Sequence, residues 1–217
     1  MPGFYSPAWF HTCSKCSIRK MTRYFTSDLH LGSERVLYTS DRPFLNVDDM
    51  TDELIKNCNS VASEPDDLLY HIGDLYCFKK DGDFKGIDVP WSETRKKFTA
   101  MVLPLAGNHD ENNTVKPIAY SMRMILGGRF NCVLCHYPSY HPKATQSLRP
   151  GDINVCGHVH AFWPSSDKRC FIDKLRKVIN INVGVDVWNY KPVSEVQLVN
   201  YITHLMATMI SEKEKWG

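Results

Sequence analysis

Five times between residues 23 and 160, a short apolar run breaks off into side chains able to hold a metal ion. The runs end at Asp28-Leu29-His30, Gly73-Asp74, Gly107-Asn108-His109-Asp110, His136 and Gly157-His158-Val159-His160. Short apolar runs closed by glycine or polar turns read as buried strands. In α/β proteins, polar residues just past strand ends collect along one rim of a sheet, where chemistry is presented. Each motif alone has an ordinary meaning as a loop, a turn or a structural histidine. Their recurrence in one order, always after an apolar run, is the feature the fold has to accommodate.

The remaining periodicities place other elements between these strands. Residues 47–62 put Met50, Leu54, Ile55, Cys58 and Val61 on one helical stripe, with Asp48 as N-cap and Asp49 and Asp52 favourable in the first turn. Residues 91–100 read as a weaker helix capped by Ser92, and residues 111–126 as a helix broken near Pro117. Residues 194–212 read as a terminal helix buried through Val196, Val199, Ile202, Met206 and Met209. Strands are expected at 24–27, 68–72, 101–105, 129–135, 153–156 and 180–187, with Pro104 marking an edge or a strand's last residue. Residues 76–90, rich in Lys, Asp and Gly, read as a surface excursion. This succession predicts a layered α/β protein with a mixed sheet or two packed sheets.

At 217 residues the chain is long enough for one substantial core. We expect one domain over 21–217, preceded by a poorly ordered extension over 1–20. A formal net charge of +2 gives no electrostatic signature of a nucleic-acid or membrane partner, so neither a stable nucleic-acid complex nor a membrane association is expected. The eight cysteines lie partly inside apolar runs, where a thiol acts as a small hydrophobe, and point to a reducing, cytoplasmic compartment. Two C-x-x-C spacings, Cys13/Cys16 and Cys132/Cys135, have zinc as their sharp reading. In a strand, however, Cys132 and Cys135 face opposite sides and cannot easily share an ion.

Asp28, His30, Asp74, Asn108, His136, His158 and His160 offer two carboxylates, one amide oxygen and four imidazoles. Seven ligands exceed one four-coordinate zinc and suit two adjacent cations if a carboxylate bridges. Nitrogen and oxygen ligation without thiolate fits Mn, Fe, Zn or similar ions. In extended backbone, residues two apart point the same way, so Asp28/His30 and His158/His160 would each project into one site. Two cations about 3.5–4 Å apart turn a shared water into hydroxide near neutral pH and neutralise phosphate oxygens, which makes phosphoester hydrolysis the natural reaction.

The ordered pattern from Asp28 to His160 resembles the five blocks of the calcineurin-like metallophosphoesterase superfamily, over residues 23–160. The segment from Ile181 to Ser194 is similar to that superfamily's small bacterial and phage branch. The resemblance implies a four-layer α-β-β-α sandwich with mixed sheets. It implies one metal on Asp28, His30, Asp74 and His160, and a second on Asp74, Asn108, His136 and His158, with Asp74 bridging. Manganese is the first expectation, with Fe, Zn, Ni, Co or Mg as alternatives. Asn108 and His109 would contact the substrate phosphate, and His109 would protonate the leaving oxygen. The implied activity is hydrolysis of phosphomonoesters or phosphodiesters by metal-bound hydroxide, on a small, nucleotide-type substrate. The competing readings are a catalytically weak binding scaffold on the same fold and a nucleic-acid module built on the cysteine pairs.

Three positions depart from the family pattern. Cys77 stands where many relatives carry an Asp or Asn that supports the catalytic histidine, which leaves Asp110 as the candidate orienter of His109. Ser33 replaces a histidine frequent in the small branch, and residues 76–98 replace a usually shorter connection, as a lid or specificity element. His11, His71, His141 and His204 carry no assigned role and are expected in core or surface positions.

Overall fold

Two mixed sheets account for the apolar runs in the computed structural model, which describes residues 21–78, 86–110, 113–144, 147–163 and 166–216. The proposed extension over 1–20, with Cys13 and Cys16, lies outside the described residues. In the first sheet, β1 (Arg23–Thr26), β2 (Leu68–Ile72) and β3 (Met101–Leu105) run parallel. The second contains β4 (Ser121–Leu126), β5 (Phe130–Cys135), β6 (Ile153–Cys156), β7 (Cys170–Asp173) and β8 (Val178–Asn182) in the order β4-β5-β6-β8-β7. Its inner strands β5, β6 and β8 are parallel, and β4 and β7 pair antiparallel at its edges. A short β9 (Val193–Ser194) returns to pair antiparallel with β1, giving the first sheet the order β3-β2-β1-β9. Pro104 therefore does sit on an edge strand, where a missing N–H costs least.

Strand alternation sorts side chains into distinct cores. Phe25, Tyr70 and Ile72 face inward with Leu134, Val155 and Ile181 of the second sheet. Tyr24, Leu69 and Val102 face outward against Met50, Leu54 and Cys58 of helix α2, counted after a short α1 (Glu34–Thr39). Helix α2 spans Val47–Val61. The C-terminal helix, α4 (Glu195–Trp216), inserts Leu198 and Ile202 into the inter-sheet core; α3 is the short turn of helix Trp91–Thr94. Cys132 joins the inter-sheet core, while Cys135 lies on the other face with Val133 and Tyr137, as the strand reading required. The α/β sandwich with mixed sheets implied by the resemblance is the fold formed. Among the described residues, no helix is long and apolar enough to cross a membrane.

Several local expectations are corrected. Residues 121–126 are strand, not helix: Met122, Met124 and Leu126 alternate into the inter-sheet core, while Arg123 between them pairs with Asp152 at 2.8 Å. The helix expected over 91–100 unwinds after Thr94 into a 3₁₀ turn, Arg95–Lys97, which lets Phe98 drop into the outer core. Its N-cap position is Pro90, with no side-chain cap. The run 180–187 divides into the end of β8 and a 3₁₀ turn, Val185–Val187. On α4, Ile202 is buried and Val199 packs against the inter-sheet core as expected, but Val196 and Met206 are exposed and Leu198 joins the buried stripe. Within 76–98, Tyr76, Trp91 and Phe98 pack into the core beneath α2; residues 79–85 lie outside the described residues.

The cap of α2 is Asn46, not Asp48. The Asn46 Oδ1 accepts from the Asp48 and Asp49 N–H groups at 3.0 and 2.9 Å. Asn46→Ala should therefore cost about 1 kcal/mol in a urea titration, whereas Asp48→Ala should cost no more than about 0.5 kcal/mol. An equal loss from both variants would contradict this placement of the cap.

Candidate metal centre

Past the ends of β1, β2, β3, β5 and β6, the five polar clusters converge. The loops stay paired beyond the strands: Asp28 N–H donates to Gly73 O at 3.1 Å and His30 N–H to Asp74 O at 3.0 Å. His109 N–H donates to Asp74 Oδ1 at 2.9 Å, and His158 N–H to Asp28 Oδ2 at 3.0 Å. Gly107 and Gly157 sit where loops meet most closely. A Cβ on Gly107 would collide with the Asp74 carboxylate, and one on Gly157 with Ser27 and Asp28.

The side chains form two groups, Asp28 with His30 and His160, and Asp74 with His136 and His158, each with ligand atoms within 4.8 Å of one another. Asp74 joins them: its Oδ2 lies 3.5 Å from His30 Nε2 and 3.4 Å from His136 Nε2. Asn108 Oδ1 lies 3.0 Å from His136 Nε2 and 2.8 Å from His158 Nδ1, completing the second group. All seven sequence-predicted ligand residues are thus in one place. The backbone that carries the paired ligands is not extended. Asp28, His30, Asp74, His158 and His160 have φ of 58°, 47°, 59°, 71° and 47°, a left-handed conformation uncommon outside glycine and clustered at functional sites. Asp28 and His30 do converge on one group, but His158 and His160 divide between the two.

A metal pair fits this donor set. His30 Nε2 is buried with no hydrogen-bond partner and lies within the first ligand group beside Asp74, where an ion would satisfy it. Burial holds the His30 imidazole well below its ordinary pKa, so the free lone pair is retained at neutral pH. Burial, aided by the charge of His136, likewise lowers His158 to about 4. Burial pushes Asp28 upward. It also opposes ionisation of Asp74, but contact with His136 outweighs it and keeps this carboxyl below the usual range. His136 Nδ1 donates to Ile72 O at 2.9 Å, which turns Nε2 toward Asp74 and Asn108.

Two residues that the sequence did not single out hold the first group in place. Asp186 Oδ2 lies 2.8 Å from His160 Nδ1. Arg42 binds the same carboxylate through Nε at 2.8 Å and one terminal nitrogen at 3.1 Å. Its terminal nitrogens also donate to Leu29 O at 3.0 Å and Asp28 O at 2.6 Å. One buried guanidinium therefore fixes both the Asp28–His30 loop and the carboxylate that orients His160. Asp186 lies inside the segment that carried the branch resemblance, and Arg42 precedes Pro43 in a loop. Nothing local to either residue marks it as part of the site.

Asp110 does not orient His109. Its Oδ2 accepts from the N–H groups of Asp74 and Gly107, each at 2.8 Å, and its Oδ1 from Leu75 N–H at 3.0 Å. The carboxylate is consumed in tying the β2 and β3 loops together, and burial raises its pKa. His109 is exposed, with its ring edge-on to His30 at a centroid distance of 5.4 Å. His71 is a core residue, as expected: it is fully buried, accepts from Leu29 N–H at 3.4 Å, and is lowered by burial to about 3. His141 lies closer to the site than expected, stacked on Tyr137 at 4.3 Å and edge-on to His158 at 5.4 Å. His204 is exposed on α4, and His11 lies outside the described residues.

No known protein-family model matches the chain. It is 31% identical over 186 residues to the uncharacterized protein MJ1445 of Methanocaldococcus jannaschii, covering 86% of this chain and 93% of that protein. The crystal structure of the protein of unknown function AQ665 from Aquifex aeolicus shares the fold, with a TM-score of 0.62 at 21% identity, over 84% of this chain and 100% of that one. The phosphoesterase YfcE of E. coli aligns over 75% of this chain and 78% of its own at 18% identity, but with a TM-score of 0.38, too loose a superposition to transfer anything from.

The carboxyl of Asp186 is lowered to about 2, because the hydrogen bond with His160 and the charge of Arg42 outweigh burial. A folded-state pKa below the unfolded value means that ionisation favours the folded state. The contribution is complete above about pH 4 and is lost as the pH falls toward the folded pKa. Asp186→Asn should thus cost roughly 2 kcal/mol at pH 7 in urea titrations, with the gap to wild type narrowing below about pH 4. The same variant should weaken Mn²⁺ binding about 10- to 100-fold by calorimetry. Unchanged metal affinity would show that Asp186 does not position His160.

Proposed function

We propose, for a chain that belongs to one family with the Methanocaldococcus jannaschii protein MJ1445, the function of a metal-dependent phosphoesterase of the calcineurin-like type. The observation that carries this reading is the pair of ligand groups joined through Asp74, with His30 Nε2 of the first group left without a hydrogen-bond partner. Asp28, His30, Asp74 and His160 are the proposed holders of one cation, and Asp74, Asn108, His136 and His158 of the other. Manganese is the first candidate; Fe, Zn, Ni, Co and Mg suit the same nitrogen and oxygen donors. When bound, such a pair supplies a nucleophilic hydroxide near neutral pH and offsets the negative charge of a phosphoryl group.

The protein's own groups supply the rest. Exposed Asn108 and His109 stand at the opening, where the phosphate of a mono- or diester would be bound. The imidazole of His109, beside His30, is the proton donor to the leaving oxygen, a step that a positioned side chain bearing an N–H can perform. The backbone N–H of His109 holds Asp74, so the donor histidine and the shared carboxylate keep a fixed relation. Asp110 acts from beneath as the brace of both loops. We place the activity on a small phosphorylated substrate of nucleotide type, in a reducing, cytoplasmic compartment where core thiols such as Cys58 and Cys156 stay reduced.

Asp74→Ala and His158→Ala should each reduce Mn²⁺-dependent hydrolysis of an aryl phosphate to background while the far-UV circular dichroism is retained. His109→Ala should lower kcat by about 10²–10⁴-fold with metal content unchanged. Full hydrolysis by a folded sample stripped of metal would refute the proposal.

A further inference from the structure

A cleft of about 830 Å³ opens beside the metal centre, with Gly107 and Asn108 in its wall. Ile118, Tyr120, Tyr137 and Lys143 also line it. Asn108 belongs to both the cleft and the second ligand group, so the two spaces are continuous. Tyr137 makes the same connection, with its ring centroid 5.0 Å from that of His136 and 5.1 Å from that of His158. A phosphate held at the ligand groups would therefore direct its ester arm straight into this space.

The size and lining of the cleft restrict that arm. Pockets of roughly 300–1,000 Å³ accommodate molecules of drug or cofactor size, far larger than glycerol or a small sugar. Ile118 and Tyr120 are 48% and 77% exposed, an apolar and aromatic surface that the fold leaves in water. Such a surface is well suited to cover a flat ring. Lys143 brings a positive charge to the lining: its Nζ donates to Tyr137 Oη at 3.3 Å and lies 5.4 Å from the centre of that ring. Among the described residues of the lining, Asp110 is the one carboxylate, and it is turned to backbone N–H groups.

We infer that this cleft is the nucleobase site of the enzyme, with the base against Tyr120 and Ile118 and its acceptor atoms toward Lys143. The inference rests on the phosphoesterase reading and makes it narrower: the substrate is a nucleoside phosphate, and the base contributes to its recognition. Adenosine 5′-monophosphate and ribose 5-phosphate provide the comparison, because both release a primary alkoxide and differ by the base.

With the Mn²⁺-loaded protein, kcat/KM should favour the nucleotide by about tenfold or more, through KM, as expected for one base–aromatic stack. Tyr120→Ala should collapse that ratio, and Tyr120→Phe should keep it. A ratio near one in the wild type, or a ratio that Tyr120→Ala leaves unmoved, overturns the inference. If neither ester is hydrolysed, calorimetric titration with adenosine 5′-monophosphate decides. Binding weakened by Tyr120→Ala upholds the cleft while the hydrolase reading fails; absent binding, or binding indifferent to Tyr120, overturns the cleft.

Discussion

A carboxylate buried among imidazoles has to be both compensated and held, and Asp74 is held from every direction. Its Oδ2 faces His30 and His136, its Oδ1 accepts from His109 N–H, and its own N–H is given to Asp110. The residue sits in a left-handed conformation at the end of β2, a backbone state that persists only where neighbours over-determine it. Asp110 supplies that over-determination by accepting three backbone N–H groups from two loops. The two ligand groups meet at this one fixed carboxylate.

Arg42 plays the corresponding part on the other side. Removing a partner from a buried ion pair leaves an uncompensated charge, which is why such pairs mark positions the fold cannot easily change. Here the pair does more than satisfy itself. The guanidinium also takes up the carbonyls of Asp28 and Leu29, so the loop that carries two ligands is tied to the carboxylate that sets a third.

The sequence made legible those parts of the site that lie next to one another in the chain. Each ligand block announces itself as polar residues after an apolar run, and the strands behind the blocks were readable for the same reason. Asp186 and Arg42 were not, because they are 144 positions apart and meet only once the chain has folded. Asp110 was read in the wrong role because its neighbour His109 is close in sequence, while the N–H groups it serves include those of Asp74 and Leu75 on another loop. Strand β4 is hidden in the sequence, because Pro117 and the polar residues before it obscure the alternation of Met122, Met124 and Leu126. Asn46 and Asp48 are both good caps in isolation, so the sequence alone does not separate them, two residues apart, as the cap of α2.

The two ligand groups also have a mechanical meaning. Asp28, His30, Asp74 and Asn108 follow strands of the first sheet, whereas His136, His158 and His160 follow strands of the second. Each group draws from both, so an ion held in either one is a rivet through the seam of the sandwich. Parting the sheets would mean releasing the ions, and loading the ions would clamp the sheets. By mass action, a ligand bound only by the closed form at a hundred times its Kd adds about 2.7 kcal/mol to the stability of that form. Occupancy of the two groups would then bear on how firmly the two sheets hold together.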